Sequence, residues 1–73
     1  MTTQVNDLRG LDPPEPLLRI LEAIGEGAQG PHVFLLAREP FPLYPMLLGE
    51  GWSRRVRSLE RGVELTLFRE PRA

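Results

Sequence analysis

The sequence predicts a small α+β domain, a two-layer α/β sandwich in which two helices cover one face of a four-stranded mixed sheet. Three observations predict it. An apolar stripe at helical spacing follows a cluster of prolines, a continuous apolar run of strand length comes next, and two strand-like segments close the chain. The predicted order is β-α-β-α-β-β. The 73 residues are expected to form one domain, 1–73.

The first half of the chain favours a short strand and one helix. Residues 4–8 (QVNDL) have strand length. Apolar residues then recur at the i, i+3, i+4, i+7 spacing of a helix with one buried face. This spacing and the preceding prolines predict a helix over 14–24, and the three glycines and one proline of 25–31 end it. The stripe consists of Leu17, Ile20, Leu21 and Ile24.

The helix begins behind three prolines, Pro13, Pro14 and Pro16. Proline is tolerated there because the first N–H groups of a helix have no internal acceptor. A proline deeper than the third helical position would remove an intrahelical hydrogen bond, so we expect Pro13 to cap the helix and Pro14 to be its first residue. The alternative is an Asp12 cap with Glu15 three residues on, as in a capping box, but it places Pro16 one position deeper.

The second half predicts a buried strand, a short helix and a hairpin. Residues 32–37 (HVFLLA) form an apolar run typical of a strand buried on both faces. A second helix is expected from about Leu43, and 52–59 and 63–69 pair around a turn at 60–62. A right-handed crossover makes the first two strands parallel. The uncovered face is expected to carry Arg54 or Arg55, Thr66, Phe68, and either Phe34 or Leu36.

Composition excludes several kinds of chemistry. The chain has no cysteine, which removes disulfides, thiolate nucleophiles and cysteine-ligated zinc. No signal peptide and no apolar stretch of about 20 residues is present, so we expect a cytoplasmic protein without membrane association. Residues 1–3 and 70–73 are expected to be flexible. Seven acids and three arginines fall in 1–50, whereas six arginines and three acids fall in 51–73.

Two segments resemble the TusA/SirA-like sulfur-carrier family. The first is LRGLDPPEPLLRILEAI, where that family has a strand and a Gly-Leu pair leading into a Cys-Pro-x-Pro motif at the start of the first helix. The second is REPFPLYPMLLGEGWS, which occupies the place of the family's strand, proline segment and second helix. The resemblance covers residues 6–69, and it implies the TusA/SirA-like fold.

The departure from the family concerns its reactive group. The position of the sulfur-carrying cysteine falls on Pro13, which offers no thiolate and no persulfide. The chain is similar to a cysteine-less, uncharacterised subfamily, a domain of unknown function, with the motif Arg-Glu-Pro-x-Pro-Leu-Tyr. Members occur alone or fused to other domains, including hemerythrin-like ones. The matching residues are Arg38, Glu39, Pro40, Pro42, Leu43 and Tyr44.

The predicted topology collects polar residues at one edge of the sheet. The carboxyl ends of the two parallel strands and the starts of both helices share that edge, where open α/β sheets bind ligands. We expect a ligand- or partner-binding edge there, without catalytic residues, metal or cofactor. The alternative is that its arginines and acids only pair with one another. The edge consists of Arg9, Asp12, Pro13, Glu15, Arg38, Glu39 and Tyr44.

The first functional hypothesis is a non-enzymatic binding or adaptor module on a sulfur-carrier scaffold. Its partner would be a protein, a second copy or a small anionic ligand. The second is an accessory protein of sulfur or iron–sulfur metabolism that docks a cysteine-bearing partner. A weaker alternative is nucleic-acid binding through Arg54, Arg55 and Arg57, although an acidic chain with pI about 5.8 disfavours it. His32 is the one histidine of the sequence, and no further ligand-type residues follow it at metal-ligand spacing.

Overall fold

The elements follow the order that the sequence predicts. The computed structural model describes residues 5–26 and 30–69, so the expected flexibility of 1–3 and 70–73 concerns residues outside the described part. The chain forms a small α+β fold with an open mixed sheet. Its elements are β1 (Val5–Asp7), α1 (Glu15–Ile24), β2 (His32–Leu36), a 3-10 turn (Phe41–Leu43), α2 (Tyr44–Leu48), β3 (Trp52–Leu59) and β4 (Gly62–Arg69).

The four strands lie in the order β1-β2-β4-β3. β1 and β2 are parallel, with Asn6 opposite Phe34. β4 is antiparallel to both of its neighbours, with Leu65 opposite Phe34 on one side and opposite Val56 on the other. The predicted parallel first pair and the predicted antiparallel hairpin are both confirmed. β1, β2 and β3 consequently run in the same direction, and their carboxyl ends lie at one edge of the sheet.

Among the residues that the structure describes, the buried ones form a single cluster to which both helices and the sheet contribute. Burial of apolar side chains is the main favourable term in folding, so this cluster sets the position of each helix. α1 supplies Ile20, which is fully buried as the centre of the predicted stripe. The other members are Leu43, Tyr44 and Leu47 from the 3-10 turn and α2, and Phe34, Leu36, Leu65 and Leu67 from the two central strands.

The prediction that Phe34 or Leu36 lies on the uncovered face is wrong. Both point into the cluster, with exposures of 1% and 2%. Side chains alternate along a strand, so Val33 and Leu35 occupy the other face of β2. Val33 lies opposite Thr66, and Thr66 lies opposite Arg55, which places these residues on the uncovered face as expected for Thr66. Because every residue of the run 32–37 is apolar or aromatic, the sequence does not show which alternate side chains of β2 face the helices.

The first helix begins one residue later than predicted. Its cap is Pro14, its first residue is Glu15, and Pro16 takes the second position. The first intrahelical bond joins the Leu18 N–H to the Pro14 carbonyl, at 3.1 Å. Neither Pro13 nor Asp12 is the cap; Asp12 contributes only its backbone carbonyl, which accepts from the Glu15 N–H at 2.9 Å. Because the helix starts at Glu15, none of the three prolines occupies a position at which its backbone nitrogen would have to donate an intrahelical hydrogen bond.

Both helices are short. α1 has ten residues and α2 has five. Pro45 falls in the first turn of α2, the position at which proline removes no intrahelical bond, and the 3-10 turn before it brings the chain into α2. Within 5–26 and 30–69, no helix combines the length and the apolar composition needed to cross a bilayer.

Candidate functional site

The predicted edge forms where β1 and β2 end side by side. Arg9 follows β1, and Arg38 and Glu39 follow β2. The Leu8 N–H donates to the Leu35 carbonyl at 2.8 Å, which keeps the two strand ends together. The parallel register therefore brings these segments to one side of the molecule, as the topology predicts.

Arg9 is held by Asp7, a residue outside the predicted set. The Arg9 guanidinium donates to both carboxylate oxygens of Asp7, at 3.0 and 2.8 Å, and the Arg9 backbone N–H donates to Asp7 Oδ1 at 3.1 Å. These bonds lower the pKa of Asp7 to about 2 and raise the pKa of Arg9. The Asp-x-Arg spacing at the end of a strand is the sequence signal that would have predicted this pair.

The same guanidinium reaches the hairpin turn. Arg9 Nη1 donates to the Arg61 carbonyl at 3.5 Å. The turn itself lies against the end of β2 because Gly62, at φ +102°, has no side chain; a Cβ there would stand 2.0 Å from the Leu36 carbonyl oxygen. The result is an open concavity between the ends of β1 and β2 and the hairpin turn, hereafter the turn concavity. It is lined by Asp7, Arg9, Gly10, Ala37, Arg61 and Gly62.

Glu39 and Tyr44 bind each other. The Tyr44 hydroxyl donates to Glu39 Oε2 at 2.9 Å, and Tyr44 is only 9% exposed. Burial, and then the hydrogen bond to the negative Glu39, raise the pKa of Tyr44 to about 12, so the phenol stays protonated as a donor. Phe41 meets the ring edge-on and the Arg54 guanidinium lies 3.8 Å above it. This cluster anchors α2 to β3 and explains two residues of the Arg-Glu-Pro-x-Pro-Leu-Tyr motif.

The start of α1 stands apart from the arginines of the edge. Glu15 pairs with Arg19 one turn along its own helix, at 3.4 Å. Within the described residues, no hydrogen bond or ion pair joins Asp12, Pro13 or Glu15 to Arg9 or Arg38. The predicted set therefore does not form one network: Arg9, Glu15 and Glu39 each have a local partner, and no hydrogen bond or ion pair joins the side chain of Asp12 or Arg38 to another described residue.

A second concavity lies between α1 and the β1 side of the sheet. Its volume is about 440 Å³, and His32 is part of its wall. The His32 ring lies 5.6 Å from the Trp52 ring and 6.4 Å from the Phe34 ring, which places it in an aromatic row. Across 5–26 and 30–69, no three His, Cys, Asp or Glu side chains are grouped as a metal site requires. The remaining wall residues are Asn6, Leu8, Leu11, Arg19, Glu22, Ala23, Glu26, Pro31 and Phe34.

The arginines of β3 do not form one patch. Arg54 faces the helices and stacks on Tyr44. Arg55 and Arg57 face the opposite side of the sheet, where Arg55 lies 5.8 Å from the Phe68 ring centre and Arg57 bonds to Glu64 at 3.0 Å. The division between two faces, with one cation paired, gives a weak footprint for a phosphate backbone.

Comparisons with protein-family models, with curated proteins and with solved structures gave no match for this chain.

Proposed function

We propose that this chain is a small non-enzymatic binding module built on the sulfur-carrier scaffold without the sulfur-carrying cysteine. Its working surface is the turn concavity, and its occupant is a small anion or the acidic side chain of a protein partner. The TusA/SirA-like fold is part of this proposal. The order of elements, the parallel first pair and the prolines that precede α1 support it.

The observation that carries the proposal is the fixed guanidinium of Arg9. Asp7 accepts from Nε and Nη2, the Arg61 carbonyl accepts from Nη1, and two of the five N–H donors are left for a ligand. A guanidinium that is already oriented loses little side-chain freedom when it binds a planar anion. Gly10 and Gly62 keep bulky groups away from the concavity, and a Cβ on Gly10 would meet no atom within 4 Å. Arg61 adds a second cation from the hairpin turn.

The absence of cysteine supports a binding role over sulfur transfer. A persulfide requires a thiol, and the chain has none. The position that corresponds to the family's cysteine, Pro13, precedes the cap of α1 by one residue. Neither Pro13 nor Pro14 has an N–H to offer an anion, so we place the binding surface at the arginines rather than at the helix start.

Amide chemical-shift mapping tests the proposal. Sulfate, phosphate and acetate are titrated into the ¹⁵N-labelled chain, and we expect concentration-dependent shifts at Arg9, Gly10, Ala37 and the 61–62 turn. Arg9→Ala is expected to abolish these shifts, whereas the matched change Arg19→Ala, on the exposed side of α1, leaves them intact. Shifts confined to the far end of the sheet, around His32 and Arg69, would overturn the proposal, and so would shifts that persist in Arg9→Ala.

A further inference from the structure

The outer strand β3 carries unpaired backbone groups along its length. It pairs with β4 in an unbroken register of eight residues and is the last strand of the sheet. In an antiparallel pair, alternate residues turn their N–H and C=O groups away from the neighbouring strand. Within 5–26 and 30–69, no loop or cap backbone bond ends on Trp52–Leu59. The strand has no proline and no bulge to block another strand.

The side chains of β3 carry three positive charges, and one of them is paired with an acid of β4. β3 holds Arg54, Arg55 and Arg57 and no acidic residue. Arg57 binds Glu64 but its side chain remains 68% exposed. Arg54 and Arg55 lie over the rings of Tyr44 and Phe68, and no carboxylate of the described residues lies within ion-pair distance of either. β3 therefore presents outward-facing backbone groups beside two arginines that no described carboxylate pairs with, and beside Arg57, which is paired but largely exposed.

A second copy of the chain is a poor occupant of this edge. Two β3 strands related by a two-fold axis would pair antiparallel, with equivalent faces on the same side. Registers centred on residues 54, 55 or 57 place that arginine opposite its own copy. The register centred on Val56 places Arg55 opposite Arg57 twice. Registers centred nearer either end of β3 avoid these pairs but align at most three residues of each strand. Like charges directly opposite one another destabilise a strand pair.

We propose that β3 is the docking edge for an extended acidic segment of a partner protein, which adds to the sheet as a fifth strand. Main-chain hydrogen bonds hold such a segment, and its side chains set specificity. Acidic residues two positions apart would face Arg55 and Arg57 on the uncovered side, and a third would face Arg54 beside Tyr44. The residue between the two acids that face Arg55 and Arg57 lies opposite Val56, so an apolar side chain is suited to that position. This surface is separate from the turn concavity and does not depend on it.

A synthetic peptide tests the proposal directly. The blocked peptide Thr-Glu-Val-Glu-Glu-Thr places its acids opposite the three arginines when it pairs antiparallel to β3. Two matched peptides separate the contribution of charge from that of backbone hydrogen bonding. One carries lysine in place of each glutamate, and the other keeps the acids but has methylated backbone nitrogens on its pairing side. The whole chain is titrated by NMR with each peptide up to about 5 mM, since one short strand binds weakly.

We expect shifts and slowed amide exchange along β3 with the acidic peptide only. Arg55→Ala and Arg57→Ala should each weaken binding by up to about fivefold, and Arg55→Lys should restore part of the loss. Arg19→Ala, which removes an arginine from α1, should leave affinity unchanged. Urea midpoints confirm that the variants fold. No binding, equal binding of the methylated peptide, shifts at β1 instead, or dimerisation of the chain through β3 would each overturn the proposal.

Discussion

Removing the Tyr44 hydroxyl tests how the second half of the fold is held. Tyr44→Phe deletes the 2.9 Å bond to Glu39 while keeping the ring between Phe41 and Arg54. Hydrogen bonds to charged groups contribute about 1.5–3 kcal/mol, and because Glu39 is half-buried and regains water, we expect a loss of about 1–2 kcal/mol. In a domain of this size, each kcal/mol lowers the melting temperature by about 4–8 °C.

The same variant isolates a pH effect. The pKa of Tyr44 is raised from 10.0 to about 12 in the folded chain. Between these values the unfolded tyrosine loses its proton and the folded one keeps it, so stability is complete below pH 10 and falls as the pH rises towards 12. The chain contains one tyrosine, no lysine and no cysteine, so no other side chain except arginine titrates there.

Urea unfolding followed by the fluorescence of the single tryptophan, Trp52, measures both effects. The urea concentration at the midpoint of wild-type unfolding should decrease as the pH is raised from 10 to 12. The midpoint of Tyr44→Phe should change less over the same range. Glu39→Ala completes a double-mutant cycle, in which the Tyr44→Phe loss should shrink because the acceptor is already gone. An equal loss in the Glu39→Ala background, or the same alkaline fall without the tyrosine, would refute the assigned hydrogen bond.

Three further predictions concern the residues around the carboxyl ends of β1 and β2 and the loop that leads into α1. Gly62→Ala should destabilise the fold by about 2–4 kcal/mol in urea, because it combines a positive φ with a Cβ 2.0 Å from the Leu36 carbonyl oxygen, whereas Gly10→Ala should change stability by under about 0.5 kcal/mol. The Asp7 carboxylate stabilises the fold above pH 3.8, and this contribution should disappear as the pH falls towards 2; the acid unfolding of Asp7→Asn should lack that step, and an unchanged acid profile would contradict the Arg9 contact. Pro13→Cys should give a thiol with an ordinary pKa of about 8.5 in iodoacetamide kinetics, since residue 13 precedes the helix cap, and no persulfide transfer from a sulfurtransferase. A strongly lowered thiol pKa, or sulfur transfer by the variant, would show that the carrier site survives.

Most of the secondary structure could be predicted because it depends on local patterns. The helical stripe around Ile20 and the prolines before it confined the start of α1 to within one residue. Residue alternation marked β4, whose Leu65 and Leu67 are fully buried. β2 gave no such signal, because an apolar run has no polar side chain to mark the outer face. Which alternate residues of β2 face the helices is decided by the pairing of Phe34 with Leu65. Such a register joins residues far apart in the sequence, so no local pattern predicts it.

The sequence predicted where the candidate site lies, at the carboxyl ends of β1 and β2, but it did not predict which side chains contact one another there. Topology alone brings the ends of β1 and β2 together. The partners that matter come from elsewhere: Asp7 from within β1, Arg61 from the hairpin turn, and Arg54 from β3. Two of these depend on how the hairpin sits against the rest of the sheet, which a single sequence does not encode in any short pattern.

The two proposed surfaces use different arginines, and this makes them separable. Arg9 is fixed by Asp7 at the strand ends, whereas Arg55 and Arg57 stand on the uncovered side of β3. Arg54, which faces the other side, is exposed and stacks on the Tyr44 ring beside α2. A ligand in the turn concavity changes the affinity of β3 for a strand in two ways: by repulsion between the two anionic occupants, which salt screens, or by favouring a different conformation of the hairpin that joins β3 to β4. Anion titration in the presence of the acidic peptide should therefore give additive shifts once salt screens the repulsion, and cooperativity that persists in salt must pass through the 60–62 turn.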